Sequence, residues 1–289
     1  GAPPDPLLDF LTTREDVYPD PAAFRANLAA ALREKPKGQR DVSVFVHGFN
    51  STFAEGLYRI AQMSHDLDLP GVAVHYSWPS AGIPLGYVYD RDSALFARDG
   101  LERLLREVAD AGADRIIVVA HSMGAALTME TLRQVAIRGD ARVRGRRAGV
   151  VLISPDIDVD VFHEQATAIG DLPQPFVIFS SRRDRALALS ARLTGQRERL
   201  GNLRDLEEVA DLKVTVIDVA AFSTGDGHFN VASSPALIQL LSRITDVNAS
   251  YAGDQAGRTG LLPGVILTVQ NATGIILSPV TSILAASTP

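Results

Sequence analysis

Short, nearly continuous apolar runs rich in β-branched residues recur at Val42 to Val46, Val72 to Tyr76, Arg115 to Ala120, Gly149 to Ile153, Phe176 to Phe179 and Lys213 to Val219. Runs of that length without polar alternation predict strands buried on both faces. Between them the period changes. Phe24, Leu28, Ala31 and Leu32 recur at helical spacing from Pro21 to Glu34, and Pro36-Lys37-Gly38 stops that helix. Leu95, Phe96, Leu101, Leu104, Leu105 and Val108 mark a second helix from Asp92 to Ala109, and Leu127, Leu132 and Val135 a third from Ser122 to Ile137. Strands alternating with helices predict an α/β fold, a mostly parallel central sheet with helices on both faces. No internal repeat at a fixed period interrupts this reading.

The two ends of the chain read differently from the body at 20–245. Residues 1–19 carry Pro3, Pro4, Pro6 and Pro19 around Leu7-Leu8-Asp9-Phe10-Leu11, the composition of an arm lying against a larger body. Residues 246–289 form an apolar C-terminal extension with no charged side chain after Arg258. Pro263, Gly264, Gln270, Asn271, Gly274 and Pro279 break it, so it holds no uninterrupted apolar span of about 20 residues. Packing against the body or against another protomer is the expected role of 261–285, with shallow peripheral membrane contact as the alternative.

Composition narrows the function classes. The 289 residues carry 28 basic and 34 acidic side chains, a formal charge of −6, so no overall positive field draws the chain to nucleic acid. The basic stretch Arg138, Arg142, Arg144, Arg146 and Arg147 has no aromatic interleaved and reads as a solvated connecting loop rather than an anion-binding patch. With no cysteine, thiolate nucleophiles, disulfides and zinc-thiolate sites are excluded. The start at Gly1 shows no basic and apolar export signal, which leaves the compartment open, extracytoplasmic after signal removal or cytoplasmic. His65, His75 and His163 lie in predicted helix, strand and helix without spaced carboxylates, so they are expected to be structural and no metal site is expected.

The chemistry centres on Arg115 to Ala120 running into His121-Ser122-Met123-Gly124-Ala125-Ala126. This strand, small-residue turn and helix resembles the nucleophile elbow of the α/β-hydrolases, with Ala120 in place of the first glycine of G-x-S-x-G. The resemblance implies a serine nucleophile, Ser122, followed in chain order by an acid and a histidine. His228, in the polar loop Ser223 to Asn230 after the last predicted strand, takes the place of the base. Asp184 follows the strand Phe176 to Phe179 in the usual position of the acid, and Asp156, one strand earlier in Ser154-Pro155-Asp156, is the rival. The strand Val42 to Val46 ends in His47-Gly48-Phe49-Asn50, the H-G-x pattern common at the oxyanion hole of the family. The Phe49 and Met123 amides are then the expected oxyanion donors. Asn50 and Trp78 are expected near the substrate; Trp78 fits either a pocket wall or a core anchor.

The wording V-F-V-H-G-F-N, Y-S-W-P-S, A-H-S-M-G and S-P-D-I-D resembles a bacterial branch of uncharacterised α/β-hydrolases, esterase- or lipase-like. The resemblance covers about residues 40–232 and implies hydrolysis of a small-molecule acyl ester through an acyl-enzyme, with no cofactor. Amide or thioester hydrolysis and acyl transfer use the same residues, and a binding protein on the same fold is the non-enzymatic alternative. No G-x-G-x-x-G or P-loop pattern stands at a strand-helix junction. The short spacing from Gly170 to Arg185 and from Leu187 to Val216 leaves no obvious room for a large inserted cap, which favours a small substrate.

Overall fold

Asp20 opens the first helix, α1 (Pro21–Arg33): its carboxylate accepts the Ala23 N–H at 2.8 Å, and Pro21 sits where a missing N–H costs nothing. The chain continues through β1 (Asp41–Val46), α2 (Phe53–Asp66), β2 (Val72–Tyr76), α3 (Tyr87–Asp110), β3 (Arg115–His121), α4 (Met123–Arg138), α5 (Ala141–Arg144) and β4 (Gly149–Ile153). It ends with α6 (Val159–Ile169), β5 (Phe176–Ser180), α7 (Arg185–Leu193), two 3-10 turns (Leu200–Asn202 and Leu206–Val209), β6 (Thr215–Asp218), β7 (Gly264–Val269) and β8 (Ala272–Leu277). The computed structural model describes residues 11–66, 69, 71–145, 149–193, 195, 198–221 and 264–277.

The strands form one sheet in the order β2-β1-β3-β4-β5-β6-β8-β7. All neighbours run parallel except the β7–β8 hairpin. The side-chain period of two splits each central strand between two cores. Val42, Val44, Val46, Ile116, Val118, Val150 and Leu152 face one side with Leu28 and Leu32 of α1, Leu101 and Leu105 of α3, Leu127 of α4 and Phe162 of α6. Phe45, Val119, Val151, Val177, Phe179 and Ile217 face the other, with Ile60 and Met63 of α2. Each fully buried Val, Leu, Ile or Phe stabilises the fold by about 1.5–3 kcal/mol. The expected mostly parallel sheet covered on both faces is what these residues build.

Two departures from the sequence reading have physical causes. Helix α3 starts at Tyr87, before the expected Asp92, because its first turns invert the usual pattern: Val88 and Tyr89 are exposed while Asp90 is buried. Within the apolar C-terminal stretch, 264–277 add two strands to the same sheet, so packing against the body describes these residues. The polar pair Gln270-Asn271, which breaks the apolar run, is the hairpin turn, with Gln270 at φ +50°. The described part of the N-terminal arm, 11–18, has neither helix nor strand, and Tyr18 packs edge-on against Phe24 at 6.0 Å.

The basic stretch neutralises helix acids. Arg138 donates to Glu102 at 2.5 Å, Arg106 and Gln134 also bond Glu102, and Arg142 pairs with Asp110 at 3.4 Å. Glu102 is buried on α3, and these partners from α3 and α4 hold the two helices in register.

Candidate active site

At the carboxyl end of β3 the backbone turns sharply at Ser122, which has φ +51° and ψ −122°. A non-glycine residue with positive φ is uncommon and persists only where its surroundings hold it. They do so here from two sides. The Ser122 N–H donates to the Ile153 carbonyl at 2.9 Å, and its own carbonyl accepts the Ala125 N–H at 3.0 Å and the Asp156 N–H at 3.2 Å. Two residues on, a Cβ at Gly124 would collide with the carbonyl oxygens of His47 and Val46, so the end of β1 can approach only a glycine. Ser122 is 6% exposed at the start of α4, whose N-terminal N–H groups and positive dipole end lie beside it.

The loop after β1 lies against the same turn. A Cβ at Gly48 would stand 2.9 Å from the Ser122 Cβ, so the adjoining Phe49 amide is brought beside the serine. Among the described residues the N–H groups of Phe49 and Met123 have no hydrogen-bond acceptor. Two unpaired amides beside a serine hydroxyl are the form an anion-binding hole takes.

His47 orients one of them. His47 Nδ1 lies 2.9 Å from the Gly48 carbonyl oxygen, and Nε2 lies 3.1 Å from both the amide nitrogen and the carbonyl oxygen of Trp78. That carbonyl belongs to the same peptide group as the Phe49 N–H. Trp78 stacks on the His47 ring at 4.8 Å and donates its indole N–H to the His47 carbonyl at 2.8 Å. Burial lowers the His47 pKa from the ordinary 6.5. Trp78 is only 2% exposed and packs in the larger core. Asn50 is exposed at the tip of the loop, with φ +55°.

Asp184 and Asp156 both follow strands that end at this rim, but their surroundings differ. The Asp156 carboxylate accepts the Tyr87 hydroxyl at 2.9 Å and the Ser190 hydroxyl at 2.5 Å, and Arg199 Nε stands 3.2 Å away. The Tyr87 hydroxyl is pushed up to about 12, first by burial and then by the Asp156 charge. Asp184, 2% exposed, accepts the Leu187 N–H at 3.0 Å through Oδ1 and so caps α7. His228 lies outside the described residues; the chain leaves β6 for it from this same rim.

The strand-to-helix turn, the pressed glycines and the parallel strand order are joined by a match along the sequence. A protein family described as alpha/beta hydrolase of unknown function (DUF900) matches residues 20–244. The chain belongs to this family. No curated protein is similar to it in sequence. Among solved structures it is similar to an inhibited esterase B from Lactobacillus rhamnosis, at 12% identity and TM-score 0.45 over 76% of this chain and 80% of that one. It is also similar to TT1662 from Thermus thermophilus, at 14% identity and TM-score 0.44 over 75% and 90%. A third is esterase 2 of Thermogutta terrifontis phosphonylated by sarin, at 14% identity and TM-score 0.37 over 76% and 87%. Likeness at that level says nothing about chemistry.

Among the described residues two clefts adjoin α4. The larger, about 670 Å³, lies at the far end of the helix between Val135, Val143 and Leu172, away from Ser122. The smaller, about 210 Å³, opens beside the elbow between Tyr87, Ala94, Met123, Ala126 and Ile157. Among the described residues no group of three or more His, Asp or Glu side chains is placed to hold a metal ion, and no helix is long and apolar enough to cross a membrane. His65 and His163 pair with Asp66 at 3.1 Å and Asp211 at 2.7 Å. The residues missed in the sequence reading are Tyr87, Ser190 and Arg199, the partners of Asp156, and Asp90. Asp90 left a trace there, because it sits four, seven and eleven residues before the buried Ala94, Ala97 and Leu101, an acid on the apolar stripe of a helix.

Proposed function

We propose that the protein is a serine hydrolase that cleaves carboxylic esters through an acyl-enzyme, with Ser122 as nucleophile, His228 as base and Asp184 as the acid that orients it. The observation that carries this reading is the positive φ of Ser122 on a tight strand-to-helix turn, pressed by Gly48. Such a turn lifts a hydroxyl to the top of the sheet, and backbone strain of this kind clusters at functional sites. His228 takes the hydroxyl proton as Ser122 attacks the ester carbonyl, and Asp184 stabilises the imidazolium. The Phe49 and Met123 amides bind the tetrahedral oxyanion, each worth about 3 kcal/mol in the barrier. His228 then passes its proton to the leaving alcohol, and water activated by the same base releases the acid.

Asp184 is preferred to Asp156 because it follows β5, in the position usual for the acid of the family. The short spacings from Gly170 to Arg185 and from Leu187 to Val216 leave no obvious room for a large inserted cap, which favours short acyl chains. The test is hydrolysis of p-nitrophenyl esters of increasing chain length, with product identification to separate hydrolysis from acyl transfer. Turnover should be greatest for short chains and absent in Ser122→Ala. Equal turnover by the variant would overturn the proposal.

A further inference from the structure

We propose that Asp90 is a positioning residue for the oxyanion hole, clamping the loops after β1 and β2 to the start of α3 and so fixing the backbone around the Phe49 amide. The inference rests on the hydrolase reading above. Asp90 has no exposed surface. A buried carboxylate is costly unless donors surround it, and each donor here comes from one of the two loops. Oδ2 accepts the Asn50 N–H at 3.2 Å and the Ser80 hydroxyl at 2.6 Å, and Oδ1 accepts the Ala81 N–H at 2.6 Å. Among the described residues no Lys or Arg pairs with it.

Ser80 extends the clamp, because its Oγ also accepts the Ser51 and Gly82 N–H groups, each at 3.3 Å. Ser93, one turn along α3, adds a hydroxyl bond to the Pro79 carbonyl at 2.5 Å. The loop after β1 is thereby held on both sides of Phe49. Gly48 is pressed on Ser122 and its carbonyl is bonded by His47, while Asn50, in a left-handed conformation, is tethered to Asp90. An apolar side chain at 90 would leave the Asn50, Ser80 and Ala81 donors unpaired and release both loops.

The experiment compares kcat and KM for p-nitrophenyl acetate in native protein, Asp90→Asn, Ser80→Ala and Ser122→Ala, with circular dichroism of each. Asparagine at 90 keeps the volume but turns an NH₂ donor toward donors. Asp90→Asn is expected to lower kcat about 10- to 100-fold with KM within about twofold, the signature of an interaction made in the transition state. Ser80→Ala is expected to lower kcat about 3- to 10-fold in the same way. A kcat within about twofold of native in both variants, or a raised KM at unchanged kcat, would overturn the clamp while native turnover stands. If Asp90→Asn does not fold, Ser80→Ala decides by the same criterion. A native protein without turnover, or an active Ser122→Ala, overturns the hydrolase reading and the clamp with it.

Discussion

A Cβ on Gly48 would stand 2.9 Å from the Ser122 Cβ and 2.7 Å from His121 Nδ1. Gly48→Ala must therefore push the loop after β1 away from the nucleophile or distort the turn. The expected outcome is a fall in kcat/KM of about 100-fold or more, as for loss of an oxyanion donor, with destabilisation of about 1–3 kcal/mol. Steady-state kinetics and urea unfolding check this, and an alanine variant with native kinetics would contradict the packing described.

The two rim carboxylates should separate by what they cost. Asp184→Asn keeps the helix cap, since asparagine caps as well as aspartate, and is expected to lower kcat by about 10⁴-fold with little change in stability. Asp156→Ala takes from the buried Arg199 its Asp156 partner and is expected to destabilise the fold by about 3–5 kcal/mol. Kinetics and denaturant midpoints on both variants test the assignment. The opposite pattern, a stable but inactive Asp156→Ala beside an active Asp184→Asn, would exchange their roles.

His75 should make stability fall in acid. Its ring lies among Phe45, Phe53 and His47, with centroids at 5.9, 5.9 and 5.5 Å, and neither ring nitrogen has a hydrogen-bond partner. Burial, and then the His47 charge, hold its pKa down to about 4, below the ordinary 6.5. Between those values the unfolded chain binds the proton and the folded one does not. The stability that neutral His75 preserves is thus complete above 6.5 and is lost as pH falls toward 4. Urea midpoints at about pH 7 and about pH 4.5 should differ less in His75→Phe than in native protein. An identical difference in the two proteins would contradict this assignment.

How much of this was legible in the sequence depended on whether a signal was local. The runs at Val42 to Val46 and Gly149 to Ile153 announced central strands because both of their faces are buried. Ser122 and Gly48 stood in motifs whose small residues are needed for close backbone approach. Asp90 was passed over because its donors, Asn50, Ser80 and Ala81, lie far from it or on loops, and only the folded chain gathers them. Tyr87, Ser190 and Arg199 were illegible for the same reason, since they meet Asp156 from three separate elements. The hairpin at 264–277 was hidden because Gln270 and Asn271 interrupt an apolar run in the way a loop does.

The most direct test of the account is labelling of the native protein with a fluorophosphonate probe, followed by peptide mass spectrometry, alongside Ser122→Ala. The account predicts a single adduct on the Ser122 hydroxyl and no adduct in the variant. A native protein that does not react, or a variant that labels as readily, would contradict it.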